Sequence, residues 1–357
     1  MSVIASGLDC PRGLAFGPDG DLFVAEAGRG GSTATSPGDC VQIPPPIGPY
    51  SGGMTARISR IDPGGVRSIL VDGLPSAQSS ARSRGQVSGV ASLAFVGDTL
   101  HALLSGAGCS HGLTGTVNGI YRAGMDGSWD LLADLGAFLR THPVAQPDPD
   151  DDEYDGTWYG MVAAGDALYA VEPNHGEVDR IGLDGEITRL VDISEAEGHV
   201  VPTAIAFDGA DFFVGNLGTL PLQPGGSRIW RIGRDGRLSR WAEGLTAVLG
   251  LAFDDRGRLY ALENTTTDTP ARLLPSTGAV VRVNPGSTPE TIASGLMFPT
   301  GMTFGPDGAL YVSTHGFGPP GAGLVERLAV PPARRNRVRI PTGTRPGSWW
   351  DPRRRIA

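Results

Sequence analysis

Lysine does not occur in this chain of 357 residues, because all 29 of its basic residues are arginine. This absence excludes Schiff-base chemistry and catalysis by a lysine general base. Acidic residues outnumber basic ones, and the formal net charge is −9. Phosphate binding, in contrast, needs a basic surface. We therefore expect no nucleic acid among the partners of the protein.

Long apolar runs are missing as well. No stretch approaches the roughly 18 residues that a membrane-spanning helix needs, and the N-terminus shows none of the regions of a secretory signal. We therefore expect no membrane span. If Met1 is the natural start we expect a cytoplasmic protein, and if a leader was removed we expect an exported one.

Cysteine is scarce, with only Cys10, Cys40 and Cys109. The odd number and the lack of a Cys-x-x-Cys spacing argue against a zinc site or a disulfide framework. Buried free thiols are therefore the first expectation. The alternative is a disulfide between Cys40 and Cys109, because both fall in long loops that the repeat pattern places on the same face.

Several catalytic motifs are also absent. The sequence has no Gly-x-Ser-x-Gly elbow, no phosphate-binding loop and no His-Glu-x-x-His pair, so serine-hydrolase, nucleotide and zincin functions lack support. The acidic run from Asp148 to Asp155 resembles a calcium loop only loosely, with Glu153 and Val162 at two ligand positions. We expect a solvated loop there.

Glycine and proline are abundant, at 54 and 29 residues, which is typical of short strands and tight turns. An internal repeat accounts for them. Each repeat begins with two apolar runs around a Gly/Asp turn, typical of a β-hairpin, and two further strands follow. This pattern predicts an all-β, six-bladed propeller over residues 1–330, with four antiparallel strands per blade. The hairpins lie at 13–25, 92–103, 160–171, 204–215, 250–262 and 301–313.

The sixth repeat lacks a fourth strand at its end. Residues 4–8 repeat residues 292–296 as Ile-Ala-Ser-Gly-Leu, so we expect residues 2–8 to complete blade six and close the ring, which removes free sheet edges. The tail 331–357 carries eight arginines and the pair Trp349-Trp350. It is a separate element, either a disordered basic tail or an arm docked on the acidic propeller, and docking is favoured.

The connections between strands differ in length on the two faces. The turns between strands one and two and between strands three and four are tight, whereas the other connections hold every long insertion. Because binding residues concentrate on long loops, this long-loop face is the expected ligand face. The insertions are 26–55, 75–91, 104–117, 137–159, 216–226 and 263–277.

Polar side chains follow the second strand of each hairpin, where we expect them to surround the mouth of a central channel. Among them, Glu26, Glu172, Asn216 and Glu263 could hold Ca²⁺ or another divalent cation. The alternative is that they cap strand ends and order water. The full set is Glu26, Ser105, Glu172, Asn216, Glu263 and Thr314.

The catalytic hypotheses depend on that metal. A bound cation would lower the pKa of water and permit lactone or ester hydrolysis. Without a metal, Glu26, Glu172 or Glu263 beside His175 or His315 would be the acid/base candidates.

Substrate-binding candidates come from the same loops. Trp158 and Tyr159 could stack on an aromatic ligand, and Asn174, Asn264, His142 and His111 could contact it. Five histidines fall on the long-loop face, although loops are polar and chance is an alternative explanation. They are His111, His142, His175, His199 and His315.

Residues 3–31, 201–232 and 291–314 resemble the ScyD/ScyE family of NHL-like propellers associated with the scytonemin pigment cluster. The resemblance implies a six-bladed propeller that, in cyanobacteria, assists assembly of an aromatic pigment outside the cytoplasm. It implies no catalytic residues.

Three functions follow as hypotheses. The first is a biosynthetic enzyme or assembly factor that binds a small, aromatic secondary metabolite at the long-loop face. The second is a metal-dependent lactonase or esterase resembling the gluconolactonase and senescence-marker propellers, whose central metal is held by Glu and Asn. The third is a non-catalytic propeller that binds a peptide or protein. The oligomeric state is open between monomer and dimer.

Overall fold

The computed structural model of the protein describes residues 1–83, 86–147, 154–270 and 272–330. The tail 331–357, for which the sequence predicts docking, lies outside these residues, as does most of the acidic run that begins at Asp148. The described chain is nearly all β and forms six small antiparallel sheets. The prediction of an all-β propeller with six blades is confirmed.

Blades 1 to 3 follow one another along the chain, each with strands paired antiparallel in sequence order. Strand β1 (Ser2–Leu8) precedes them and belongs to blade 6. Blade 1 contains β2 (Pro11–Phe16), β3 (Leu22–Glu26), β4 (Ser51–Ile61), β5 (Arg67–Gln78) and the short β6 (Val87–Ser88); blade 2 contains β7 (Val90–Val96), β8 (Thr99–Leu104), β9 (Gly119–Ala123) and β10 (Trp129–Asp134); blade 3 contains β11 (Met161–Ala164), β12 (Ala167–Glu172), β13 (Glu177–Gly182) and β14 (Ile187–Asp192).

Blades 4 to 6 complete the ring, and β1 supplies the outermost strand of blade 6. Ser2 pairs with Arg327 and Leu8 with Gly323, so the predicted closure by the N-terminal strand is confirmed. Blade 4 contains β15 (Pro202–Phe207), β16 (Phe212–Asn216), β17 (Ser227–Ile232) and β18 (Leu238–Leu245); blade 5 contains β19 (Val248–Phe253), β20 (Leu259–Glu263), β21 (Gly278–Val283) and β22 (Glu290–Leu296); blade 6 contains β23 (Gly301–Phe304), β24 (Leu310–Thr314) and β25 (Gly323–Leu328).

The first strand of each blade lies innermost. These strands, β2, β7, β11, β15, β19 and β23, each contact the next one around the ring, and β23 contacts β2. The ring is therefore closed around a central axis. In a closed ring of six, blade 1 lies opposite blade 4, and blade 3 opposite blade 6.

The core lies between neighbouring blades. Every residue of the second strands β12 and β20 is buried, because each face of these strands is covered by a blade, whereas most residues of the outermost strand β22 are exposed or half-buried. Trp158, Trp230 and Tyr260 are the largest fully buried side chains. Each packs in a different apolar cluster between blades, so packing holds the blades face to face.

The outermost strands carry β-bulges at glycines. The pairing register shifts where Gly244 opposes β17 and where Gly295 opposes β21. Both glycines have a positive φ, of 83° and 79°, which other residues adopt only at a cost. The bulges twist the outer edges of the sheets, which discourages pairing with other chains.

Two short helices occupy connections between blades. Helix α1 (Leu135–Thr141) follows blade 2, and α2 (Ile193–Glu197) follows blade 3. The side chains of Asp134 and Asp192 cap them by accepting backbone N–H bonds, as N-cap aspartates do. The described part of the chain contains no helix with the length and hydropathy that crossing a bilayer requires.

A disulfide joins Cys40, in the long loop of blade 1, to Cys109, in the corresponding loop of blade 2. Cys10 is a buried free thiol. The first expectation, free thiols, is therefore right for Cys10 and wrong for Cys40 and Cys109, and the alternative, a disulfide between Cys40 and Cys109, is confirmed. The odd cysteine count was misleading, whereas the placement of both long loops on one face was the informative signal.

Candidate functional site

A channel of about 460 Å³ follows the propeller axis. The described residues that line it come from the innermost strands and from the segments that enter them; they include small residues such as Ala15, Ala94 and Gly250, but no carboxylate and no imidazole. The side chains predicted to ring its mouth end the second strands, which lie one strand further from the axis. They are buried between blades and do not line the channel.

Glu26 is held by protein groups on both carboxylate oxygens. One oxygen accepts the Asp9 backbone N–H at 2.6 Å, and the other accepts Ser59 and the Arg67 guanidinium, the latter at 2.8 Å. The side chain is fully buried. Its hydrogen bonds therefore fix the chain segment that enters blade 1.

Glu172, Asn216 and Glu263 occupy the equivalent position in blades 3, 4 and 5. Glu172 accepts the Thr157 N–H at 2.9 Å, Glu263 accepts the Thr246 N–H at 2.6 Å, and Asn216 donates to a backbone carbonyl at 2.8 Å. Each thus fastens the segment entering its own blade. Within the described ranges, no group of three or more His, Cys, Asp or Glu side chains is arranged to hold a metal ion.

The chain segments held by these side chains contain residues in an unfavourable backbone conformation. In blades 1, 4 and 5, the residue directly after the hydrogen-bonded one has a positive φ. These residues are Cys10, Val201 and Ala247, with φ of 51°, 56° and 52°. Non-glycine residues pay for a left-handed conformation. The bonds of Glu26, Glu172, Asn216 and Glu263 therefore fit a structural role at the blade junctions, the alternative to metal binding.

Removing one of these caps should destabilise the propeller. We expect Glu263→Ala to lower the free energy of unfolding by about 1–3 kcal/mol, because the buried Thr246 N–H loses its acceptor. Urea denaturation followed by circular dichroism measures the change. Glu243→Ala, which removes an exposed glutamate in β18, should stay within about 0.5 kcal/mol of wild type. Equal effects of the two substitutions would contradict the capping role.

The predicted polar partners of these carboxylates also bind backbone or neighbouring loops. His175 donates its backbone N–H to Glu172 at 2.6 Å, and Asn174 donates to Thr157 Oγ1 at 2.8 Å. Asn264 donates to the Pro299 carbonyl at 2.7 Å. His315 lies in a turn with φ of 60°, in blade 6, opposite the blade that holds His175.

The remaining predicted substrate contacts are dispersed. His111 is fully buried and packs on Tyr50, and burial lowers its pKa to about 4 although Asp155 opposes the shift. His142 is exposed and stacks on Phe138 at the end of α1. Trp158 is fully buried in the core between blades 2 and 3. Each of these three side chains packs against a different set of neighbours.

Tyr159 is the exception, because it reaches the axis. It lines the channel, and its hydroxyl donates to the Thr300 carbonyl at 2.8 Å. Tyr159 belongs to blade 3 and Thr300 enters blade 6, so this hydrogen bond spans the ring at the long-loop end of the channel. Burial raises the pKa of Tyr159 to about 12, and the Arg12 charge opposes the shift.

A second cavity, of about 350 Å³, opens among the long loops; we call it the loop cavity. Its described walls come from the loops of blades 1, 4, 5 and 6, so it lies over the axis. Cys10, Ser83, Gln86 and Arg272 supply polar groups. The apolar walls are Val87, Leu217, Leu220, Leu273, Phe298 and Phe317.

The loop cavity opens on the predicted ligand face, but the residues that line it are not among the predicted site residues. One usable signal was present: Leu217, Leu220 and Phe317 are apolar side chains in loops, and Phe317 stands between two glycines. Apolar residues gathered in exposed loops indicate a binding surface. The predicted site consists instead largely of polar residues at and near strand ends.

Comparison with known proteins supports the fold of the chain and does not identify its function. No protein-family model matches the sequence, and no curated protein matches it. Solved propeller structures do match the chain, and three of them show the extent of the likeness. Regucalcin from Agrobacterium tumefaciens, a calcium-binding protein, is 14% identical with a TM-score of 0.57, over 92% of this chain and 92% of regucalcin.

The other two structures give a similar result. A gluconolactonase from Xanthomonas campestris is 14% identical with a TM-score of 0.54, over 91% of this chain and 88% of its own. A provisionally assigned oxidoreductase (glucose dehydrogenase) from Thermus thermophilus is 21% identical with a TM-score of 0.57, over 92% and 99% of the two chains. At such identities the likeness shows the six-bladed fold alone.

Proposed function

We propose that this propeller binds a compact, aromatic small molecule in the loop cavity. The loop cavity itself carries the proposal: about 350 Å³ of space over the axis, walled by Phe298, Phe317 and four aliphatic side chains, with few polar groups. Small-molecule sites have this size and composition. Two phenyl rings favour a flat, aromatic ligand.

The resemblance to the ScyD/ScyE family supports the same ligand class, because that family is associated with an aromatic pigment. We therefore propose a role in secondary metabolism, as an assembly factor or biosynthetic enzyme. The Cys40–Cys109 disulfide supports the exported alternative for localisation, since disulfides persist in oxidising compartments.

The metal-dependent lactonase stays a hypothesis with less support from this geometry. Its ligands would be Glu26, Glu172, Asn216 and Glu263, whose groups bind the chain segments that enter their blades. Loss of lactone hydrolysis on adding a chelator would favour it. Peptide or protein binding at the same face also stays a hypothesis.

A fluorescence titration tests the proposal. N-phenyl-1-naphthylamine is a neutral aromatic probe that should bind saturably with stoichiometry near one. Leu220→Asp places a charge at the cavity rim, where Leu220 is 55% exposed, and should weaken binding about tenfold through lost apolar contact and desolvation.

The matched control is Leu131→Asp, the same change at a leucine that is 44% exposed in β10 of blade 2. It should leave probe affinity unchanged. Absence of saturable binding to the wild-type protein, or equal weakening by both substitutions, would contradict a ligand site in the loop cavity.

A further inference from the structure

Arg12 is a buried cation that has no counter-charge among the residues the structure describes. Its side chain lies at the start of β2, and the residue is only 4% exposed. No carboxylate of the described residues forms an ion pair with it, whereas neighbouring acids are engaged elsewhere: Asp9 binds Arg29 and Arg57. Proteins rarely bury a charge unpaired, because desolvation is costly.

The guanidinium is also incompletely hydrogen-bonded. Nη1 donates to the carbonyls of Gly316 at 2.5 Å and Pro11 at 3.3 Å, and Nη2 donates to that of Val87 at 2.7 Å. These bonds use three of the five N–H donors of an arginine. Nε–H and one N–H of Nη2 have no partner among the described residues, and Nε and Nη2 share one edge of the guanidinium plane.

The position of Arg12 connects it to the loop cavity. Val87, Gly316 and Phe317 all line that cavity, and the guanidinium carbon lies 4.8 Å from the centre of the Phe317 ring. Cys10, which precedes Pro11, lines it as well. Arg12 therefore lies directly behind the cavity wall, beside the Tyr159 bond that spans the axis.

We propose that Arg12 makes the loop cavity selective for an aromatic carboxylic acid. This inference rests on the proposed function and names its ligand class. The carboxylate would supply the missing counter-charge and accept from Nε and Nη2, since guanidinium edges bind carboxylates side-on. The aromatic body would pack between the phenylalanine rings. Arg12 thereby acts as a specificity-determining residue.

The wild-type protein gives the first test, by displacement of N-phenyl-1-naphthylamine. The competitors are 2-naphthoate and 2-naphthamide, which share one aromatic body and differ in charge. We expect the carboxylate to bind at least about tenfold more tightly, as charge-assisted hydrogen bonds allow. Equal affinities would overturn the role of Arg12 while leaving the probe site intact. If the probe itself fails to bind, the proposed function fails first.

Two variants then assign the preference to a residue. Arg12→Gln should reduce the ratio of naphthoate to naphthamide affinity to near one while naphthamide still binds. Arg272→Gln removes an exposed arginine from the described wall of the loop cavity and should preserve the ratio. Loss of the ratio in Arg272→Gln, or its retention in Arg12→Gln, would overturn the assignment. Circular dichroism of both variants reports folding. If Arg12→Gln is unfolded, the affinity ratio of the wild-type protein tests the proposal by itself.

Discussion

Asp179→Asn is expected to flatten the dependence of stability on pH. Relative to wild type, its melting temperature should rise as the pH is raised from 5. The reason lies in blade 3, where Asp179 in β13 is fully buried. Neither of its carboxylate oxygens has a hydrogen-bond partner among the described residues.

Other charges surround this carboxylate and do not neutralise it. Glu177 lies on the same face of β13, and Arg189 of β14 donates to Glu177 rather than to Asp179. Burial raises the pKa of Asp179 well above its ordinary value; the Glu177 and Glu172 charges add to this, and Arg189 opposes it. Burial likewise raises the pKa of Glu177 to about 8, although Arg189 lowers it. Arg189 is thus shared among several buried acids.

The sign of the effect follows from proton binding. In the unfolded chain an aspartate has a pKa of about 3.9. Above that pH the unfolded state releases the proton while native Asp179 keeps it, so stability falls as pH rises until the native pKa is reached. Each pH unit in this window removes about 1.4 kcal/mol. Asparagine does not titrate, so the variant escapes the loss.

Glu263 contributes in the same direction and limits how flat the profile becomes. Burial raises its pKa to about 7, although the Thr246 N–H opposes the shift. This carboxyl therefore also removes stability as pH rises from its unfolded pKa towards 7. The Asp179→Asn profile should be shallower than wild type but still decline.

Differential scanning calorimetry of wild type and Asp179→Asn at pH 5, 6, 7 and 8 measures the effect. Asp166→Asn is the matched control, since Asp166 is exposed in the turn before β12 of the same blade. Its difference from wild type should not change with pH. A difference for Asp179→Asn that is equally independent of pH would show that the native carboxylate is ionised.

The fold could be predicted because each blade repeats the same apolar hairpin, and because β1 carries the sequence of a fourth strand. Residues 4–8 repeat those of β22, so the closing strand was recognisable without coordinates. Equivalent residues in equivalent strands must occupy equivalent positions in a ring. The repeats therefore made the architecture predictable from the sequence.

The candidate site could be predicted only as a face. The first and second strands of each blade are both apolar and buried, so the sequence does not show which of them faces the axis. For that reason the sequence predicts Glu172 and Glu263 at the channel mouth, whereas the structure has them one strand further out. No sequence signal indicated that Arg12 would lack an acidic partner among the described residues. Whether a buried arginine meets a carboxylate depends on loops from blades far apart in the chain.

Cys40→Ser is expected to lower the free energy of unfolding by about 4 kcal/mol in the chain-entropy account of disulfides. The bond closes a separation of 69 residues, and cutting it frees that loop in the unfolded state. It also joins the long loops of blades 1 and 2, where Thr35 donates to the Cys109 carbonyl at 2.6 Å. The loss should appear as a lower urea midpoint.

A reductant separates the disulfide from the substitution itself. Adding tris(2-carboxyethyl)phosphine should shift the wild-type midpoint to that of Cys40→Ser and leave Cys40→Ser unchanged. Cys10→Ser, at the free thiol, should keep the sensitivity to reductant. Denatured, unreduced protein should release one equivalent of thiol to Ellman's reagent, since two of the three cysteines are paired. Three equivalents would mean that the blade 1 and blade 2 loops are not covalently joined.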